Sequence, residues 1–304
     1  MFSKVKKNTY GYLFVAPFII GFLLFGLYPV YNTIALSFTN TSMMKPNADF
    51  VGLLNFTRLF ADHTFLTALK NTWSLWIMNF IPQIGIALLL AVWFTDTRLK
   101  IKGGGFFRML FYLPNLMMPA AIAALFFSLF SYYGPVNQFL VREGIIPAAV
   151  NFIESAPTMR FLVVFIQWWM WFGQTTIVLM AAMTSISVSI YEAALADGAN
   201  GWQMFRFITL PLIKPVMIYV LVTSLVGGMQ MFDVPMLLTD GRGSPSNSIL
   251  TNNILMYIKF RSSQGLIGSA SAIGVVVFIM TSFVALLIFY ALREKSNKNV
   301  VEES

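Results

Sequence analysis

The sequence contains no cysteine and a single histidine, His63, among its 304 residues. Without thiols the chain can form neither disulfides nor thiolate metal sites, and a cysteine nucleophile is excluded. His63 falls in a segment that we expect to be a loop, which argues against histidine-based triads and metal clusters. The chain also lacks the GxxxxGK[ST] phosphate loop, since Gly103-Gly104-Gly105 is not followed by Lys-Ser or Lys-Thr. These absences argue against an enzyme and against ATP binding by this chain.

Charged residues are scarce too, at 11% of the chain, about half the fraction that is usual in soluble domains. The formal net charge of +8 is compatible with a polyanionic partner. However, the basic residues are scattered at the ends of apolar runs, as they are in proteins that anchor themselves in a bilayer. We therefore expect no nucleic-acid partner.

Apolar residues are abundant: 58% of the chain is hydrophobic and the mean hydropathy is +0.73. Six runs reach the length of about 20 residues that spans a bilayer as a helix. The first is too long for a signal peptide, so we expect it to be retained. The sequence predicts an all-α membrane protein built as a bundle of six transmembrane helices. The predicted spans are Tyr12–Phe38, Thr72–Phe94, Phe106–Phe130, Phe161–Met183, Leu212–Leu238 and Gly268–Leu292.

The distribution of lysine and arginine predicts the orientation of these spans. Basic residues cluster in short segments beside the spans, such as Lys4, Lys6 and Lys7 before the first and Arg98, Lys100 and Lys102 after the second. Short basic segments favour the cytoplasmic side. We predict a multi-pass protein of the cell membrane with both termini cytoplasmic. Residues 1–11 form an N-terminal segment, 12–292 one transmembrane domain with a cytoplasmic loop at 184–210, and 293–304 a tail.

The loop at 184–210 is the one polar, helix-forming stretch between two long apolar runs. Ser189 and Glu192 have the spacing of a capping box, and Gly198 suits a left-handed helix end. A second short helix is predicted over Gly201–Phe207, and Pro211 suits the first turn of the next span. The loop either joins two spans without further role or forms a knob for close approach by another surface, as small residues permit.

Seven positions of this loop resemble the EAA loop of ABC-importer permeases, which is a coupling helix. They are Glu192, Ala193, Ala194, Gly198, Ile208, Leu210 and Pro211. The resemblance implies that the loop docks into one of two cytoplasmic ATPase subunits. Those subunits would bind ATP and Mg, and this chain would need no cofactor of its own. It also implies a second permease subunit, which in this family is a different chain, and an extracellular sugar-binding protein.

Shorter strings extend the resemblance along the chain. Tyr12-Leu13-Phe14-Val15-Ala16-Pro17 with Tyr28-Pro29, Leu113-Pro114 and Leu238-Thr239-Asp240-Gly241 are similar to carbohydrate-uptake permeases related to the maltose transporter. The chain looks most like the larger of the two permease subunits in that group. It differs from that subunit in having neither extra N-terminal spans nor a large extracytoplasmic insertion, so details of binding-protein docking are not carried over. The resemblance implies a carbohydrate substrate, in particular an oligosaccharide.

Polar residues inside the spans are the candidates for substrate binding, because they are costly to expose to lipid. Gln167, Trp171 and Gln174 share one face of the fourth span. Amides can bind sugar hydroxyls and an indole can stack on a sugar ring. In the fifth span Gln230 and Asp233 are weaker candidates. The three residues of the fourth span could instead hydrogen-bond and pack between helices.

Several further possibilities stay open at this stage. Asn71, Asn79 and Asn115 are further polar candidates in the second and third spans, for which helix capping or packing is the favoured interpretation. The family's substrate-binding positions in the fifth span are occupied here by Gly228 and Met231, so that half of the site should differ. The alternative function is a secondary transporter driven by an ion gradient, which predicts paired intramembrane carboxylates or an ion site in broken helices.

Overall fold

A computed structural model describes residues 3–45, 49–96, 99, 102–239 and 241–293, with side chains from residue 11 onward. The predicted tail beyond 293, together with Arg98, Lys100 and Asp240, lies outside these residues. The described segments form fifteen α-helices and no strand longer than a single bridge, Thr39 to Phe50. The helices are α1 Ser3–Phe22, α2 Tyr28–Ser37, α3 Leu54–Ala61, α4 His63–Thr95, α5 Gly104–Leu116, α6 Pro119–Phe130, α7 Pro135–Arg142, α8 Ala156–Thr184, α9 Val188–Ala196, α10 Gly201–Met204, α11 Leu210–Leu212, α12 Lys214–Met229, α13 Asp233–Leu238, α14 Asn252–Arg261 and α15 Ile267–Leu292.

Six helical segments of the described chain are long and apolar enough to cross a membrane, which confirms the all-α bundle of six spans. An apolar segment in lipid must satisfy its backbone hydrogen bonds internally, and a helix does so along its whole length. The segments are Gly11–Ser37, His63–Thr95, Pro119–Arg142, Ala156–Thr184, Lys214–Leu238 and Ile267–Leu292.

The first span contains a π-helical turn, Leu23–Leu27, between α1 and α2. The amide of Tyr28 donates to the carbonyl of Leu23, five residues back. Pro29 follows directly, in the first turn of α2. A proline ring clashes with the carbonyl four residues before it in a regular helix. The wider turn relieves that clash, so the span continues past the proline.

The predicted third span, Phe106–Phe130, is wrong as a single helix. The run is apolar throughout, but α5 ends at Leu116 and α6 begins at Pro119. Met118 is extended (φ −64°, ψ 132°), as a residue before proline prefers to be. The membrane-length segment begins at Pro119 instead and continues into α7. Hydropathy alone does not register this break.

The predicted fifth span, Leu212–Leu238, is also interrupted. Its first helix, α12, ends at Met229, and a second, α13, starts at Asp233. Gln230 and Phe232 have non-helical backbone angles between them. The paired glycines Gly227 and Gly228 lower the helix propensity just before the break.

The chain divides into two compact units. One comprises the residues up to Leu66 together with Leu255–Ile279. In it, the buried amide of Asn55 donates to the carbonyls of Ser37 (2.8 Å) and Thr39 (2.7 Å), which tie α3 to the end of α2. Lys259 of α14 donates to Asp62 at 3.0 Å, and both side chains are partly buried.

The other unit comprises Thr67–Ile254 and the residues from Met280, and it contains the helices that line the candidate site. Two apolar clusters hold α8 in its centre: one includes Ile166 and Met170, the other Leu179 and Met180. The backbone carbonyl of Phe111 in α5 occupies the space that a Cβ atom on Gly173 of α8 would need. Glycine thereby permits a close crossing of the two helices, as small residues do in membrane bundles.

Candidate functional site

A cavity of about 170 Å³ opens between three helices, α4, α8 and α12. Its wall lies in the middle parts of three membrane-length segments, and the middle of a segment that spans a bilayer lies in the hydrocarbon core. Polar side chains at this depth are normally directed at protein or at a water-filled path. The cavity is therefore the leading candidate for a substrate site.

The wall from α8 contains Gln167, Trp171 and Gln174, the three residues whose spacing predicted a shared face. The structure places them together on the cavity, with both glutamines partly buried and Trp171 43% exposed. Trp168 and Trp169 do not line it: Trp168 stacks on Phe172, and Trp169 packs against Phe126. The roles of the three lining residues remain predictions.

The wall from α4 contains Asn79 and Gln83, which are 5% and 6% exposed. The amide nitrogen of Gln83 donates to Thr175 Oγ1 at 2.9 Å, which links α4 to α8 across the cavity edge. The Asn79 Oδ1 atom is buried and has no hydrogen-bond partner. Sequence reasoning interpreted Asn79 as a packing residue and missed Gln83, although their spacing of four residues puts both on one helix face.

Sequence reasoning did not identify most of the residues that α12 contributes to the cavity wall. Tyr219, Thr223 and Gly227 follow one another at intervals of four, and Ser224 lies beside them. The same helical spacing that identified the α8 face could have identified this one. Hydroxyls in an apolar helix were overlooked because a threonine there usually bonds its own backbone, as Thr223 does to Tyr219 (2.8 Å).

Gly228 and Met231, where sequence comparison led us to expect an altered half of the site, both line the cavity. Trp76 of α4 fills the space beside Gly228 where a side chain would project. Its Nε1 atom donates to Ser224 Oγ at 3.4 Å, a long hydrogen bond. An indole from a neighbouring helix thus occupies the volume that a larger residue at position 228 would take.

Gln230 and Asp233 are not among the residues that line the cavity. Both are exposed. Because α12 ends at Met229, Gln230 departs from the helical face that carries Thr223 and Gly227. Asp233 begins α13. A carboxylate at this end of a helix is stabilised by the positive end of the helix dipole. These two candidates from the fifth span therefore lie at and beyond the helix break, outside the cavity lining.

The loop predicted at 184–210 contains α9 and α10, but not the expected capping box. Helix α9 begins at Val188, so Ser189 lies inside it, and Ser187 at its N-cap makes no capping bond. The two serine hydroxyls bond each other at 2.8 Å instead. A capping box does occur at α10, where Asn200 and Gln203 exchange bonds of 2.9 and 2.8 Å.

Gly198 ends α9 as the sequence predicts, with a left-handed φ of +81°. Its amide donates to Leu195, and the amide of Ala199 donates to Ala194 at 2.9 Å. These bonds satisfy carbonyls at the helix end that have no partner within the helix. The turn fixes the angle between α9 and α10.

The second short helix is longer than predicted. Helix α10 passes into a π-helical turn, Phe205–Thr209, and then into α11. Pro211 belongs to α11, whereas α12 starts at Lys214 with Pro215 in its first turn. The prediction that Pro211 lies in the first turn of the membrane-length helix is therefore wrong, because Pro211 lies in the short helix before it.

We call residues 187–212 the exposed segment. The Tyr191 hydroxyl and Thr209 Oγ1 are 2.8 Å apart, and Thr209 is buried. This hydrogen bond ties α9 to the helical turn after α10. The segment therefore has a fixed shape even though most of its surface is open.

The seven predicted docking residues lie on this segment with different accessibility. Glu192, Ala193, Gly198 and Pro211 are exposed, while Ala194, Ile208 and Leu210 are partly buried. Gly198 and Ile208 line one shallow depression, bordered by Phe207. Large apolar side chains project around it, with Trp202 69% and Phe207 72% exposed. Exposed apolar patches of this kind occur at contact sites for other proteins and for membranes.

Comparison with known proteins agrees with this architecture. A family described as binding-protein-dependent transport system inner membrane component matches residues 72–298. The lactose transport system permease protein LacF of Rhizobium radiobacter is 35% identical over 96% of this chain and 98% of its own length. The arabinooligosaccharides transport system permease protein AraP of Bacillus subtilis (strain 168) is 33% identical over 93% of this chain and 88% of its own.

A solved bacterial ABC transporter involved in the import of the acidic polysaccharide alginate contains a chain of the same fold. It superposes with a TM-score of 0.80 at 25% identity, over 95% of this chain and 97% of that one. The same transporter is also known in complex with a periplasmic protein bound to an alginate pentasaccharide. The chain described here belongs to the family of inner-membrane permease components of binding-protein-dependent ABC importers.

Proposed function

We propose that this chain is the permease subunit of an ATP-driven importer that moves a carbohydrate, in particular an oligosaccharide, delivered by an extracellular binding protein. The observation that carries the proposal is the mid-span cavity, which combines amides, hydroxyls and the Trp171 indole. Amides bind hydroxyls directionally and an indole stacks on a sugar ring. The alternative of an ion-gradient transporter has no comparable support from the cavity or from the family.

The proposal includes partners and an orientation. Both termini and the exposed segment face the cytoplasm, in line with the basic residues near the span ends. Two ATPase subunits there bind ATP and Mg, and one of them receives the exposed segment through Glu192, Ala193 and Gly198. A second, different permease chain completes the pathway. Support comes from Trp171 and Tyr219, which are 43% and 60% exposed although they line the cavity at bilayer depth.

In this mechanism the sugar enters the cavity and bonds the amides of Asn79, Gln167 and Gln174 while its ring lies on Trp171. ATP binding closes the ATPase dimer and displaces the exposed segment. Because the segment joins α8 to α12, its displacement moves these two cavity walls relative to α4. The bundle then alternates between outward-open and inward-open states.

Copurification tests the docking surface. A variant carrying Glu192→Ala and Ala193→Arg should lose the ATPase subunits during purification, because a long cation replaces a small contact residue. Glu154→Ala is the matched control, since Glu154 is equally exposed but precedes α8 at its other end. Retention of the ATPase by the double variant, at the level seen with the control, would contradict the docking role.

Sugar uptake tests the cavity separately. Trp171→Ala should lower uptake into vesicles while the ATPase still copurifies, since it removes the indole surface on which the sugar ring would stack. Trp93→Ala is the control, because Trp93 is similarly exposed (51%) near the end of α4 and away from the cavity. Equal uptake by the two variants would remove Trp171 from the site.

A further inference from the structure

The hydrogen-bonding groups of the cavity are all uncharged. They comprise amides such as Asn79 and Gln167, hydroxyls such as Thr223 and Ser224, and the Tyr219 phenol. Among the described residues, none that lines the cavity is Asp, Glu, Lys, Arg or His. The wall contributed by this chain therefore offers hydrogen bonds without any compensating charge.

The cations on the same three helices lie toward helix ends, away from the lining. They are Lys70, Arg160 and Lys214. Arg160 is about 10 Å along the helix from Gln167, at 1.5 Å per residue. Its guanidinium is already engaged, with Nε donating to the carbonyl of Ser248 and Nη2 to Asn71 Oδ1, both at 2.9 Å. It is held away from a ligand in the cavity.

Besides this absence of charge, Asn79 introduces a preference for a ligand that donates a hydrogen bond. Its Oδ1 atom is an acceptor with no partner, in a side chain that is only 5% exposed. Burying an unpaired polar atom is costly, so a ligand that donates a hydrogen bond there is favoured. A hydroxyl of a neutral or an acidic saccharide can donate to it, whereas an ionised carboxylate placed there can only accept and would face the oxygen with like partial charge.

We propose that the saccharide bound in this cavity is uncharged, and that oligosaccharides of uronic acids are rejected by it. The inference rests on the proposed function and narrows its substrate class. Membership of the family leaves this point open, because the solved relative imports an acidic polysaccharide. A carboxylate at bilayer depth loses the hydration of a full charge, which uncharged donors replace less well than a cation does, and this wall supplies no cation.

The test measures binding to the purified transporter complex without its binding protein, so that the selectivity observed belongs to the membrane cavity. The probes are gluco-, galacto- and arabino-oligosaccharides, each compared with oligogalacturonides and oligomannuronates of equal length. Quenching of tryptophan fluorescence reports binding, with the Trp171→Phe complex identifying the part of the signal from the cavity. We expect neutral ligands to bind at least roughly tenfold more tightly than the acidic ones, a difference of about 1.4 kcal/mol.

The outcomes separate the two proposals. If an oligouronate binds as tightly as the best neutral ligand, the charge inference is overturned while carbohydrate import stands. If no saccharide of either class binds, the cavity is not a sugar site and both proposals are overturned.

A charge variant tests the same point from the protein side. Thr223 lies on the cavity wall and is exposed, so Thr223→Lys should shift the binding ratio toward acidic ligands by several-fold. Gln138→Lys adds the same charge on α7, outside the lining, and should leave the ratio unchanged. An unchanged ratio in a folded Thr223→Lys complex would place charge discrimination elsewhere and contradict the inference.

Discussion

The indole of Trp76 occupies the position that a Cβ atom on Gly228 would take, so that α4 and α12 meet at a glycine on the edge of the cavity. Trp76 is buried and also packs against Trp73 and Phe80. It has little freedom to move aside. The contact fixes both the separation of two cavity walls and the depth of the space between them.

Gly228→Ala should therefore destabilise the protein by about 1–3 kcal/mol, the usual cost of overpacking a filled core. The apparent Tm in detergent should fall, and sugar uptake should fall with it. Gly85→Ala is the control: Gly85 lies within α4, and a Cβ there would meet nothing within 4 Å. An equal Tm for the two variants would show that Trp76 yields easily.

Gly198 is constrained by its backbone and not by crowding, since a Cβ there would meet nothing within 4 Å while φ is +81°. Gly198→Val should distort the turn between α9 and α10, because left-handed geometry costs non-glycine residues about 1–2 kcal/mol. Gly198→Asn should be much milder, because asparagine adopts this region more readily. The measurement is the amount of ATPase that copurifies with each variant. Equal amounts of ATPase with both variants would show that docking does not depend on the shape of this turn.

The Asp62–Lys259 pair predicts a pH dependence of stability. Burial raises the pKa of Asp62, but hydrogen bonds from Lys259 and from the Thr64 amide outweigh it and hold the pKa below its usual value. A carboxylate with a lowered pKa in the folded state stabilises the protein above the ordinary pKa, near 4. That stability is lost as the pH falls through the folded-state value.

Thermal unfolding in detergent at decreasing pH checks this sign. The wild type should lose Tm below about pH 4, and Asp62→Asn should have a lower Tm at neutral pH and a flatter profile. Asp49→Asn is the control, because Asp49 pairs with Lys45 at an exposed site where ion pairs contribute little. If the pH profile of Tm were flattened as much in Asp49→Asn as in Asp62→Asn, the effect would come from surface charge in general and not from the Asp62–Lys259 pair.

Asn71 joins α4 to the chain before α14. It is 1% exposed, and its Nδ2 atom donates to the carbonyls of Asn247 (2.6 Å) and Leu250 (3.2 Å). Asn71→Ala would remove both of these hydrogen bonds and the acceptor of Arg160 Nη2, so we expect a loss of about 1–3 kcal/mol. Asn253→Ala removes an exposed bond to Gln230 and should cost less. Limited proteolysis near 240–250 would reveal whether that stretch loosens.

The sequence was sufficient for the spans but not for their interruptions. Hydropathy integrates over a window, so the breaks at Pro119 and after Met229 have little effect on it although they redirect the chain. For the site, helical spacing correctly grouped Gln167, Trp171 and Gln174. It could not reveal that Trp76 would fill the space beside Gly228, because that contact joins helices far apart in sequence.

The exposed segment connects α8 directly to α12, and these two helices supply most of the cavity lining. Any displacement of the segment therefore reaches two walls through covalent backbone, which is stiff. The third wall, α4, is linked to them by side-chain contacts such as Gln83 with Thr175 and Trp76 with Ser224, which can break and re-form. The change in cavity width should consequently arise as sliding at the surface of α4, with α8 and α12 moving together.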